Sequence, residues 1–181
     1  MITIREGETI LATYRRHAFV LVLEIFPIAF GALILIAGLP FALSYLPAQF
    51  DFLIPLILLG VAFMLHFLMI ALFTVLADFF LDVWILTDAR VIAVEQGSLF
   101  SRTVSEFELG KIQDATVNIH GIIPTLLNYG NLNLRTASEH EHFIFKQIWH
   151  PQAAKDEIVR ACLAERTARE RVANDVSLPK A

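Results

Sequence analysis

Two runs of 26 residues, Ile25 to Phe50 and Phe52 to Ala77, contain no Asp, Glu, Lys or Arg, and only Asp51 separates them. A bilayer core takes about 20 apolar residues as a helix, so each run is long enough to cross one. Lipid offers backbone N–H and C=O groups no water, and a helix is the form that satisfies them within the segment. Gly38-Leu39-Pro40 predicts the end of a first helix spanning 18–39. Pro55, tolerated in a first turn, predicts a second over 53–80. Pro27 predicts a kink inside the first. The whole chain reflects these runs: 56% of it is hydrophobic and 18% charged, against about 45–50% and about 25% in soluble domains.

Lys and Arg placement predicts the orientation. Arg5, Arg15 and Arg16 precede the first span, the connector has none, and Arg90, Arg102 and Lys111 follow the second. Both termini are expected in the cytoplasm of a multi-pass protein of the cell membrane. The first span is too long for a signal peptide's apolar region and is expected to stay uncleaved. Arg15 and Arg16, with His17, read as an interfacial anchor for the first helix. Two ionisable residues fall inside the spans, Glu24 and His66, and such residues are functional candidates by default. They lie at different depths. The alternatives are a snorkelling or helix-bonded Glu24 and a neutral His66 bonded within a helix pair or an oligomer.

Beyond about Asp82 the periodicity changes from helical to that of strands. Val83–Thr87 and Arg90–Glu95 flank Asp88-Ala89 as a hairpin. In Thr103–Leu109, Phe107 and Leu109 alternate with Glu106 and Glu108, the period-2 pattern of a half-buried strand. Ala115–Ile119 does the same, Leu132 and Leu134 alternate with Asn133 and Arg135, and His142–Ile148 is a further strand. Pro151 opens a helix whose apolar face is Ile158, Val159, Cys162 and Leu163. Past Glu165 the charged sequence predicts a fraying helix end and a disordered tail. The expected organisation is an N-terminal segment 1–17, a transmembrane hairpin 18–82, a cytoplasmic strand-rich domain 83–165 and a charged tail 166–181.

Several of these residues form a pattern: Trp84-Ile85-Leu86-Thr87-Asp88-Ala89-Arg90-Val91-Ile92 with Gly97; Glu108-Leu109 with Lys111-Ile112-Gln113-Asp114; Asn128-Tyr129-Gly130-Asn131-Leu132 with Thr136; and the preface Arg5-Glu6-Gly7-Glu8-Thr9-Ile10. Over residues 4–165 the chain resembles the bacterial pleckstrin-homology (PH) domain family of membrane-flanked proteins. The resemblance implies a PH-like barrel of six or seven antiparallel strands, two packed sheets closed by a C-terminal helix, and it implies no catalytic residues. Thr87 and Asp88 suit bonds to turn backbone, Gly97 and Gly130 suit positive φ, and Arg90 and Asp114 are expected to pair across the barrel.

The charge balance excludes some function classes. A net charge of −4 and a lone Cys162 argue against nucleic-acid binding, a disulfide framework and a cysteine zinc site. Residues 83–150 hold five Lys or Arg and seven Asp or Glu, with no basic cluster to attract a phosphoinositide headgroup. Glu139-His140-Glu141-His142 would put two imidazoles on one strand face, but without a third ligand no metal is expected. No catalytic motif is present, so neither an enzyme activity nor a cofactor is expected. Ile122, Ile123, Leu126 and Leu127, in the loop Gly121–Leu127, are too apolar for a solvated loop. They either pack into the barrel end or contact the bilayer or a partner. Trp84 is either an interfacial anchor or a core residue. The expected function is a membrane-held protein-interaction or self-assembly module. The alternative is lipid or hydrophobic-ligand binding at the membrane-facing end of the barrel.

Overall fold

The computed structural model describes residues 4–5, 7–98, 101–136 and 142–177. They form two compact units, one built on Ala18–Phe80 and the other on the chain before and after it.

The first unit is a helical hairpin, α1 (Ala18–Ser44) and α2 (Ile54–Leu81), joined through a 3-10 turn at Ala48–Leu53. At 1.5 Å per residue each helix is about 40 Å long, enough for a hydrocarbon core of about 30 Å. Both are long and apolar enough to cross a membrane. Only Val20 of α1 is buried, and no residue of α2 is, so their apolar surface is not covered within the chain. The expected stop at Gly38-Leu39-Pro40 does not occur, and α1 runs through Pro27 and Pro40 to Ser44. Pro40 removes one N–H···O bond, and the helix continues past it. The turn instead closes where Tyr45 N and Leu46 N donate to the carbonyls of Ala42 and Leu43.

The second unit has two antiparallel sheets. One runs in the order β1 (Ile10–Tyr14), β2 (Val83–Thr87), β3 (Arg90–Ser98), β4 (Ser101–Glu108). The other runs β5 (Ile112–Asn118), β6 (Tyr129–Thr136), β7 (His142–Trp149). A short helix α3 (Ile122–Leu127) links β5 to β6, and α4 (Pro151–Ser177) follows β7. The sheets remain separate rather than closing into the expected barrel, because the chain leaves β4 through a 3-10 turn at Leu109–Lys111 and starts a new sheet. Trp84, Leu86, Val91 and Ala93 of the first sheet meet Leu132, Leu134, Phe143 and Phe145 of the second, and Ala154, Ile158, Ala161 and Cys162 of α4 complete the core.

Two differences from the sequence reading concern the ends of the chain. Residues 1–17 are not simply a segment ahead of the first helix. Ile10–Tyr14 is a strand paired with β2, in register Tyr14↔Trp84 and Thr13↔Ile85. The helical hairpin is therefore inserted between two hydrogen-bonded neighbours. At the other end α4 does not fray at Glu165 but continues to Ser177. Ala, Glu and Arg are strong helix formers, and Glu165 pairs with Arg169 one turn on.

Neither Gly97 nor Gly130 has the positive φ expected of it; among the described glycines Gly7 and Gly121 do. Gly130 is required by space, since a Cβ there would sit 2.7 Å from the Asn118 carbonyl oxygen and 2.8 Å from Ile119 Cγ1. Gly130→Ala should therefore cost about 1–3 kcal/mol through overpacking, read as a lower urea midpoint. At Gly97 the nearest atom would be Ser101 Oγ at 3.6 Å, and Gly97→Ala should leave the midpoint within error.

Candidate functional site

The strand-rich unit has two ends with different chemistry. At one end β1 finishes and β2 starts, side by side through the Tyr14↔Trp84 pair. His17 N donates to the Gln147 carbonyl at 2.8 Å, and Arg16 bridges to Ile148 while its guanidinium donates to Gln147 Oε1 at 2.9 Å. The His17 ring is buried. It stacks on Trp149 at 4.2 Å and on Tyr129 at 4.8 Å, which are themselves register partners on β6 and β7.

The chain around this aromatic stack is bent at three non-glycine residues with left-handed φ: Asn128 (53°), Gln147 (52°) and His150 (44°). Each is held by a specific bond. Asn128 caps α3, its carbonyl accepts from His150 N at 3.0 Å, and its Nδ2 lies 2.7 Å from His150 Nδ1. Asn131 Oδ1 accepts from Gln147 N at 2.8 Å across the β6–β7 irregularity. The Asn128-Tyr129-Gly130-Asn131 pattern is thus a corner in which cap, stack, close approach and bulge follow one another.

From that corner projects α3. Ile122 is 88% and Leu126 81% exposed, with Ile123 and Leu127 also exposed. Thr125 ties the helix to its start through N and Oγ1, both donating to the Gly121 carbonyl. Of the two sites foreseen for this loop, the barrel end is not the one it occupies. Trp84 takes the opposite course: it is 0% exposed and stacks on Phe145 at 5.5 Å, a core residue rather than an interfacial anchor. Arg15 is exposed. Glu24 lies in the second turn of α1, and His66 is exposed midway along α2. Glu139, His140 and Glu141 lie outside the described residues, and His142 enters as the first residue of β7.

At the far end Arg5 and residues 7–10 of the preface clasp the β2–β3 hairpin. The side chains of Glu8 and Arg90 are almost wholly buried. Arg90 Nε donates to Glu8 Oε1 at 2.9 Å and its NH2 to Glu8 Oε2 at 2.8 Å, a bidentate fork. Glu106 takes a further N–H of the same guanidinium. Glu8 also accepts from Thr87 Oγ1 at 2.7 Å and from Arg5 N at 2.9 Å. Thr87 Oγ1 accepts from Arg90 N, the expected turn bond. Asp88 instead reaches across to Thr9, taking its hydroxyl at 2.8 Å and its N–H at 3.2 Å. Arg90 does not pair with Asp114, whose carboxylate accepts from Thr116 on its own strand. A recess of about 540 Å³ here is lined by Arg5, Glu8, Asp88 and Glu165; Glu8 and Asp88 are engaged within the fold, and Glu165 pairs with Arg169 through Oε1 only. Among the described residues no three metal-ligating side chains come together.

The electrostatics follow from these contacts. The Arg90 hydrogen bonds hold the Glu8 carboxyl at a pKa of about 2, against the opposing effect of burial. Burial, then the Glu157 carboxylate that accepts the Tyr14 hydroxyl at 2.7 Å, push the Tyr14 phenol far up. Burial, then the neighbouring His150, lower the His17 pKa below 6.5. The folded state therefore binds fewer protons at His17 than the unfolded chain does. That contribution to stability is complete above pH 6.5 and is lost as the pH falls through the folded value. The urea midpoint of the detergent-solubilised chain should fall below pH 6.5, and His17→Phe, which keeps a ring in the stack, should shrink that fall.

Comparison with known proteins adds the following. The family model described as Bacterial PH domain matches residues 18–166. Among solved structures the chain is similar to a duf1696 family protein with a pleckstrin-homology domain from Shewanella loihica PV-4, at 12% identity and a TM-score of 0.37, over 45% of this chain and 70% of that one. No curated protein matches.

Proposed function

The chain belongs to the bacterial PH domain family, and on that premise we propose that it is an integral membrane protein. Its helical hairpin spans the cell membrane with both termini in the cytoplasm, and its PH-like unit serves at the cytoplasmic surface as a non-catalytic protein-interaction or assembly module. The observation that carries this reading is the insertion of the apolar hairpin between β1 and β2. Only residues 15–17 separate β1 from α1, and only Asp82 separates α2 from β2. Two short connectors leaving neighbouring strands join the unit to the hairpin and so hold both in the same membrane. Such confinement raises the effective concentration of the module for anything else held in the same membrane.

The outer strand of the first sheet, β4, supplies a docking surface. It ends the hydrogen-bonded order of its sheet, and Ser101 to Val104 are exposed along it. An open edge is a template for an added strand from another chain. Carriage of a lipid between β5 and α4 has less support: the recess there, lined by Ile112, Ala115, Ile158 and Cys162, measures about 120 Å³, below the roughly 300 Å³ of a small-molecule pocket.

The test is photo-cross-linking in native membranes with a photoreactive residue at Val104. A discrete protein adduct, absent when the same group stands at Asp114, supports the module. A lipid adduct alone, or none at either position, contradicts it.

A further inference from the structure

We propose that α3 lies in the interfacial layer of the bilayer, with Ile122, Ile123 and Leu126 reaching the acyl boundary, so that the PH-like unit has a third membrane contact besides its two connectors. This rests on the reading of α1 and α2 as membrane spans.

Asn128, the cap of α3, is bonded to His150 through both its carbonyl and its side chain. His150 follows Trp149, which stacks on His17 at 4.2 Å, and the next residue, Ala18, opens α1. The exposed apolar helix is therefore linked to the point where α1 begins through two contacts, Asn128 to His150 and Trp149 to His17. Its chemistry suits that layer. From Ala115 to Leu134 the chain carries no Asp, Glu, Lys or Arg, so α3 and its neighbours in sequence bring no charge of their own to be desolvated. The half-exposed Trp149 stands beside it, a residue type enriched at membrane–water interfaces.

The helix is also pre-organised. Thr125 and Asn128 fix its two ends, and the neighbouring backbone is held in left-handed turns at three residues. Apolar side chains displayed on so well-fixed a scaffold lose little conformational freedom on insertion. A short interfacial helix buries its apolar face about 5–10 Å into the headgroup–acyl boundary, the depth its Ile and Leu side chains can reach. A water-facing role would leave the most exposed apolar residues of the unit, Ile122 and Leu126, with nothing to cover them.

The experiment uses the purified full chain, with Cys162→Ala to remove the native thiol, reconstituted in phosphatidylcholine vesicles. A polarity-sensitive fluorophore is attached through Leu126→Cys, through Phe63→Cys in α2, or through Glu170→Cys on the exposed side of α4. Leu126 and Phe63 are exposed in the chain, so these substitutions do not disturb packing. The expected result is blue-shifted emission at 126, quenched more by lipid carrying a doxyl group near the headgroup than by lipid carrying it deep in the acyl chain. The order should reverse at 63, and neither lipid should quench at 170. If 63 is quenched and 126 is not, α3 faces water and the inference falls while the spanning reading stands. Blue-shifted but unquenched emission at 126 places it against protein, a second copy of the chain, and also overturns the inference. Absence of quenching at 63 overturns the spanning reading and the inference together.

Discussion

Glu8→Ala is expected to cost about 3–5 kcal/mol of folding stability, because it leaves the Arg90 guanidinium buried without its main counter-charge. The fork between them spans 82 positions of sequence and fastens the preface to the β2–β3 hairpin. Glu106 remains as a partner for Arg90, but it is half exposed and offsets only part of the loss. Arg90→Met should cost a similar amount, since it leaves the Glu8 carboxylate buried with only Thr87 and the Arg5 N–H to bond it. A double-mutant cycle between the two should show strong coupling. The same cycle between Arg90 and Asp114 should show none, and Asp114→Ala alone should change stability by less than about 0.5 kcal/mol.

The pH dependence of the wild type carries the same sign. With the folded Glu8 carboxyl at a pKa of about 2 against an ordinary 4.5, the pair contributes fully above pH 4.5 and is lost as the pH falls toward 2. Urea titrations of the detergent-solubilised chain, followed by tryptophan emission, measure all of these.

Trp84→Ala is the second large effect, also about 3–5 kcal/mol, from the lost burial and the cavity left between the sheets. Trp84 is fully buried and stacked on Phe145, which in turn meets Phe143 edge-on at 5.6 Å and Tyr14 at 5.8 Å. Removing the indole therefore loosens contacts from both sheets and from β1. Trp84→Phe should cost much less, because Trp84 Nε1 is buried without a hydrogen-bond partner and its removal relieves an unsatisfied donor. An interfacial anchor would behave differently. Its loss would leave the urea midpoint unmoved and alter membrane depth instead.

The contrast between Trp84 and α3 marks how far the sequence could be read. The hairpin was legible because charge-free apolar runs of this length, broken only at Asp51, read as two long helices. The strands between 83 and 150 were legible wherever polar and apolar residues alternate along an edge of the core. Trp84 and Leu86 alternate in that way, but Trp84 also follows a span closely, and proximity to the bilayer suggests an anchor as readily as periodicity suggests a core. β1 left no such signal. It is five residues long, mostly exposed, and its partner lies beyond the whole hairpin. Pairing of that kind is set by topology, and no local pattern records it. The same limit applies to Arg90: Glu8, Glu106 and Asp114 are chemically alike, and only the fold brings the first two to it. The apolar loop at 121–127 was visible as an anomaly, whereas the corner that aims it depends on the backbone bends at Asn128, Gln147 and His150.

The central claim, a membrane hairpin inserted between two strands of a cytoplasmic PH-like unit, is tested most directly by thiol accessibility in oriented vesicles. A single cysteine is placed at Gln49, in the connector, or at Glu170 on α4, each in a Cys162→Ala background, and treated with a membrane-impermeant maleimide. Right-side-out vesicles should label position 49 and not 170, and inverted vesicles 170 and not 49. Labelling of both positions in the same vesicles would contradict the account, since the connector and α4 would then share one side of the membrane.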